Sequence, residues 1–154
     1  MAKSRITACN VTRIAFAVAL LLVAATANAR CLTTISTSDD VRTKMDEAHL
    51  GGCSIYFEAG DHSTTSRLGY NFVGTANDPI VIYGDSASTT RLLRPDANQN
   101  LMDLSGQYFI VRGLELEGGS KGIRLDGSVD NAVFTHLVIH GTADEKKCGH
   151  PYRL

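Results

Sequence analysis

Apolar and polar residues alternate in short runs over the second half of this chain, and the runs recur. Met102-Asp103-Leu104-Ser105-Gly106 is followed by Phe109-Ile110-Val111-Arg112-Gly113-Leu114-Glu115-Leu116-Glu117. Ile123-Arg124-Leu125-Asp126-Gly127 and Ala132-Val133-Phe134-Thr135-His136-Leu137-Val138-Ile139-His140 repeat the pattern about twenty-one to twenty-three residues later. Such a period, built from short strands, predicts a solenoid in which each copy is one coil. Strand alternation turns Met102, Leu104, Phe109, Val111, Leu114 and Leu116 inward, with Ile123, Leu125, Ala132, Phe134, Leu137 and Ile139 below them. Asp103, Ile110, Arg112, Glu115 and Glu117 then face out, as do Arg124, Val133, Thr135, Val138 and His140 in the next coil.

Upstream, Ser38 to Leu50 reads as a helix. Ser38 can cap it, Asp39 and Asp40 suit its positive end, and Gly51-Gly52 stops it. Val41, Met45 and Ala48 form one narrow apolar stripe, fit to cover the open edge of a first coil. Ile55 and Phe57 mark a strand ending at Ala59-Gly60, Asn77-Asp78-Pro79 marks a turn, and Ile80 to Gly84 forms another strand. Asp85 to Asn100, rich in Ser, Thr and Asn and carrying Arg91, Arg94 and Pro95, reads as a polar loop. Asp126-Gly127 is a hairpin-type dipeptide, but the polar residues after it separate it from the next apolar run. A parallel solenoid therefore suits the pattern better than an antiparallel sandwich.

At the N-terminus, Lys3, Arg5 and Arg13 precede an apolar run from Ile14 to Ala25 and an Ala27-Asn28-Ala29 cleavage pattern. This is the three-part form of a secretory signal over residues 1–29, and it implies a secreted, extracellular product starting at Arg30. The run is short for a membrane span, so no membrane association is expected once it is removed. Losing three of 15 basic residues leaves 12 against 16 acidic ones, a net charge of about −4. No basic stripe remains to attract nucleic acid. Cys31, Cys53 and Cys148 stay in the mature chain. Cys31 and Cys53 flank the helix and are placed to staple it, while Cys148 lies in the polar tail. Zinc is the rival use of these thiols, but ligand spacing is absent.

These stretches together resemble the right-handed parallel β-helix of the pectin-lyase-like superfamily, an all-β fold. The resemblance rests on the helix followed by Gly52 to Gly60, on Gly74 to Ile82, on Tyr108 to Leu114, and on Ile139-His140-Gly141-Thr142. It is similar to the N-terminal portion of secreted polysaccharide lyases. It implies a short solenoid of about three coils with an N-terminal capping helix over residues 30–142. Residues 143–154 form a polar tail, expected to be irregular, where the coil pattern breaks. A solenoid with a cap only at its start reads as the end of a truncated or mispredicted product.

The resemblance further implies an anionic, uronate-containing polysaccharide as partner, with calcium as the cofactor that masks the uronate charge before a Lys or Arg removes the neighbouring proton. In that scheme Lys121 or Arg124 would be the base, and Asp103, Arg112 and His140 would contact substrate. Asp126, Glu115 and Glu117 would hold the metal. The plainer readings stand beside these. Asp103 and Arg124 occupy matching positions in adjacent coils and would form a surface ion pair, and Glu115 and Glu117 would form a solubilising acidic face. His136 falls at a corner between strands, with Gly113 as its counterpart one coil earlier. The alternative for the whole chain is a catalytically inactive β-helix module with a glycan-binding or structural extracellular role.

Overall fold

The computed structural model describes residues 30–143 and the backbone of Tyr152–Arg153. The expected signal segment and Cys148 lie outside the described residues. The chain is a parallel β-helix whose coils each give one strand to each of three sheets. β1 (Leu32–Ile35) and α1 (Val41–Gly51) open it. Three full coils follow: β2 (Ser54–Phe57), β3 (Gly60–Ser63) and β4 (Leu68–Val73); β5 (Ile80–Gly84), β6 (Thr90–Arg94) and β7 (Met102–Gln107); β8 (Phe109–Arg112), β9 (Glu115–Gly118) and β10 (Ile123–Asp130). β11 (Val133–Thr135) and β12 (Val138–His140) begin a fourth. The first sheet is ordered β1-β2-β5-β8-β11, the second β3-β6-β9-β12 and the third β4-β7-β10, all in parallel register. β13 (Tyr152–Arg153) pairs antiparallel with β12, so this part of the expected irregular tail is a strand.

The core follows from alternation repeated in register. Ile55, Ile82, Val111 and Phe134 stack in one column through the first sheet, and Leu92, Leu116 and Ile139 stack in the second. Leu68 and Tyr70 lie over Met102 and Leu104 in the third. Phe57, Phe72 and Phe109 are essentially fully buried among them, each contributing roughly 1.5–3 kcal/mol over exposure. The column loosens in the last coil. Leu125 faces the interior side but is 51% exposed, and Ile123, Phe134 and Ile139 are only partly covered. A bulge between Leu125 and Val129 carries β10 past Asp126-Gly127 without a hairpin.

The helix starts later than its sequence suggests. Asp40, not Ser38, is the N-cap, and its carboxylate accepts from the Thr43 amide at 2.7 Å. Asp39 instead accepts from the Ser36 amide and hydroxyl, closing the turn before the helix. Gly52 ends it at φ +64°. Val41, Met45 and Ala48 are buried against the first coil, so the narrow stripe does cover that edge. The Cys31–Cys53 disulfide ties β1 to the residue before β2. The larger correction concerns residues 85–100. The expected loop contains strand β6, with Thr90, Leu92 and Arg94 facing inward.

Candidate functional site

The outer face of the third sheet gathers a set of charged and polar side chains. Gly69 of β4, Asp103 of β7 and Arg124 of β10 sit in one cross-strand row. Asp103 is outward, yet only 6% exposed, because its neighbours close over it. Its carboxylate pairs with Arg67 at 3.2 Å and Arg124 at 3.2 Å, and accepts from the Asn100 amide at 2.7 Å. Arg124 also donates to Asp126 at 2.8 Å. The expected ion pair between adjacent coils is thus present, and it is one link in a longer chain. Lys121 lies in the turn before β10 and is exposed.

This face is concave. Arg67, Gly69, Asn71, Asp103, Ser105 and Asp126 line a polar groove that continues past Asn71 and Asp126 to Gly127 and Ser128. At its other end Arg67 and Gly69 are shared with a deeper cleft lined by Arg42, Arg94, Asp96 and Gln99. The space above Gly69 is open: a Cβ there would meet only the Arg67 guanidinium, at 3.9 Å. The amide and hydroxyl groups of this lining can bind sugar hydroxyls, and the Arg67 guanidinium can meet a carboxylate, set against the two acids Asp103 and Asp126.

The remaining sequence candidates fall on other faces. Glu115 and Glu117 of β9 and His140 of β12 lie together on the second sheet, where one ligand atom from each falls within 4.8 Å of the others. Both carboxylates are engaged. Glu115 shares a 2.5 Å hydrogen bond with the His140 Nε2, and Glu117 accepts from Arg91 at 2.9 Å. Arg91 also makes two hydrogen bonds to Asp61, which hold the Asp61 carboxyl below its ordinary range. Calcium takes six to eight oxygen donors. Two carboxylates, an imidazole and an adjoining guanidinium do not make that set, and Asp126 belongs to the third sheet. These residues do not fit calcium as one site. Arg112 lies on the first sheet, its guanidinium 4.9 Å from the Tyr83 ring centre, and lines a cleft of about 500 Å³ with His136 and Asp85. His136 adopts φ +53° where Gly113 adopts +66°, so the corner role is a backbone one.

Sequence reading passed over Arg67, Asn71 and Arg94. Arg67 and Asn71 fall in a stretch with no visible repeat, and the polar run that holds Arg94 reads as a loop. A signal was nonetheless present, because Leu68, Tyr70 and Phe72 alternate with Gly69 and Asn71 as a strand requires.

Comparison with known proteins places the fold. No family model matches the chain, and no curated protein does at the level of sequence. Among solved structures it is similar to the PL6 family alginate lyase AlyGC, with a TM-score of 0.55 and 20% identity. The match covers 71% of this chain and 15% of that one. The chain is therefore a parallel β-helix that shares its fold with that enzyme and spans a small part of its length.

Proposed function

We propose that the chain is a secreted, carbohydrate-active β-helix protein that holds an anionic, uronate-containing polysaccharide across the outer face of the third sheet. The continuous groove over Arg67, Gly69, Asn71, Asp103 and Ser105 is the observation that carries this reading. It lies on a scaffold shared with an alginate lyase. Arg67 and Arg124 would supply the charge complement, and Asn71 and Ser105 would meet sugar hydroxyls. Arg124 is better suited to clamping a carboxylate than to removing a proton, because a guanidinium held between Asp103 and Asp126 stays charged. In the cleaving form of this reading Lys121 is the base, taking the C5 proton beside the uronate carboxylate while Arg124 masks that charge; the C4–O glycosidic bond breaks as the C4=C5 double bond forms, and the leaving oxygen takes a proton from water.

Affinity electrophoresis of the full chain through gels containing alginate, pectate or chondroitin, with dextran as neutral control, tests the binding. Retardation by at least one uronate polymer but not by dextran is expected, and Gly69→Tyr, which fills the groove, should abolish it with the fold intact. Equal mobility in all gels would sink the proposal and favour a structural module. Release of unsaturated uronides, followed by ultraviolet absorbance, tests cleavage, with Lys121→Ala as the control expected to remove it.

A further inference from the structure

The cleft at the corner between the second and third sheets holds an arginine that the groove described above does not account for. Arg94 ends β6 on its inward face, in alternation with the buried Thr90 and Leu92, and it is 2% exposed. Neither neighbouring coil offers it a counter-charge. Gly118 is its cross-strand partner on one side, and a side chain there would collide with the Arg94 carbonyl at 2.2 Å. On the other side Thr64 follows the last paired residue of β3, and its hydroxyl is already committed to the Ser66 backbone. Among the described residues, Arg94 Nε and Nη1 have no hydrogen-bond partner. Nη2 alone is held, by Gln99 at 3.2 Å and Asp96 at 3.4 Å, both toward the long end of the range.

Arginine is seldom buried without a paired acceptor, because taking its charge out of water is costly. Here three of its five N–H groups lack one. The cleft beside it, of about 610 Å³, carries Arg42 and Arg67 at its rim and a single acid, Asp96. Both rim arginines are oriented by other contacts. Arg42 donates to the Arg67 carbonyl at 2.6 Å and pairs with Asp46, and Arg67 pairs with Asp103. Three arginines therefore line one opening, which shares Arg67 and Gly69 with the groove of the third sheet.

We infer that this corner cleft is a carboxylate subsite, in which Arg94 receives one uronate carboxylate of the polysaccharide while Arg42 and Arg67 flank it. This rests on the reading that the groove binds a uronate polymer. A carboxylate entering here would meet Arg94 through Nη2, whose present contacts to Gln99 and Asp96 are long, and would add a second acid to the single one that lines the cleft. The subsite would set the register of the sugar chain, since a neutral sugar at this position adds no partner for the Arg94 charge beyond Asp96.

Isothermal titration of the full chain with oligouronates, and with the same oligomers carboxyl-reduced to neutral sugars, tests the assignment. Inorganic phosphate and sulfate serve as competitors. Wild type should bind the oligouronate at least tenfold more tightly than its reduced form. Arg94→Met and, separately, Arg42→Gln should each weaken oligouronate binding by roughly tenfold without changing the weak binding of the reduced form. Arg42 is partly exposed on the helix, so Arg42→Gln keeps the test valid if Arg94→Met fails to fold. Oligouronate binding that is intact in both variants would overturn the subsite while leaving the groove reading standing, with Arg94 then satisfied by buried water only. No oligouronate binding by wild type would overturn both. Displacement by phosphate at a similar affinity would show a general oxyanion pocket and overturn the assignment to a uronate.

Discussion

Asp103 offers the sharpest test of how the third sheet is held together. The substitution Asp103→Asn keeps the shape and the size of the side chain, so it perturbs the charge without opening a cavity. It removes one partner each from Arg67 and Arg124, at 3.2 Å in both cases, and turns an amide toward one of them. Those two arginine side chains are 54% and 41% exposed, so each pair is screened and contributes about 0.5 kcal/mol. The contact from Asn100 at 2.7 Å is different, because it ends on a carboxylate that is almost completely covered. A hydrogen bond to a buried charged group contributes roughly 1.5–3 kcal/mol, and part of it survives with a neutral acceptor. The sum is a loss of about 2 kcal/mol, or a fall in melting temperature of about 8 °C for a domain of this size.

Thermal unfolding followed by circular dichroism, in low and in high salt, reads this directly. The variant should also depend less on salt than wild type, since its two screened pairs are gone. A double-mutant cycle with Arg124→Gln should return a coupling of about 0.5 kcal/mol. A melting temperature within about a degree of wild type in low salt would refute the reasoning. It would mean that Asp103 is covered by its neighbours but not bonded by them.

Other outcomes follow from the same structure. Replacing Cys31 and Cys53 by Ser removes the closure of a 22-residue span and should destabilise the domain by roughly 3 kcal/mol in chemical denaturation, with little effect in samples already reduced. Gly113→Ala forces a Cβ to 2.5 Å from the Gly84 carbonyl at φ +66° and should cost about 1–3 kcal/mol, whereas His136→Gly at the equivalent corner should stay within about 1 kcal/mol of wild type. The amide of Thr43 holds the Asp40 carboxyl below its ordinary value, so its contribution is present above the unfolded carboxylate range and is lost as pH falls through the folded value. Asp40→Ala should accordingly lower stability at neutral pH and flatten the acid limb of the unfolding curve, and an unchanged acid limb would contradict that role.

The last two coils were readable because their corners are short. Met102 pairs with Ile123 and Ile110 with Val133, spacings of 21 and 23 residues, so like residues recur at nearly constant distance. The earlier coils are longer and uneven. Leu68 pairs with Met102, 34 residues on, and Ile55 with Ile82, 27 residues on. The added residues sit in the corner loops, where they change the period without disturbing the register of the strands. β3 hid for another reason. Gly60-Asp61-His62-Ser63 shows no apolar alternation, yet His62 is buried over Leu92, edge-on to the Phe57 ring, with its Nε2 bonded to the Glu58 carbonyl.

The candidate site divides along the same line. Asp103 and Arg124 could be matched in sequence because a short coil separates them, whereas Arg67 joins them from across the longest spacing in the molecule. Arg94 was hidden by its own chemistry, since an arginine at an inward position breaks the apolar alternation by which an inward position is recognised. In a solenoid, the residues that share a face are related by coil number, and a constant sequence interval appears only where corners are equal. A charged residue set into the inward column is then a departure from the packing rule. Here Asp96 and Gln99 reach one terminal nitrogen of Arg94 while Nε and the other terminal nitrogen stay without a partner, a shortfall that the packing of the coil does not explain.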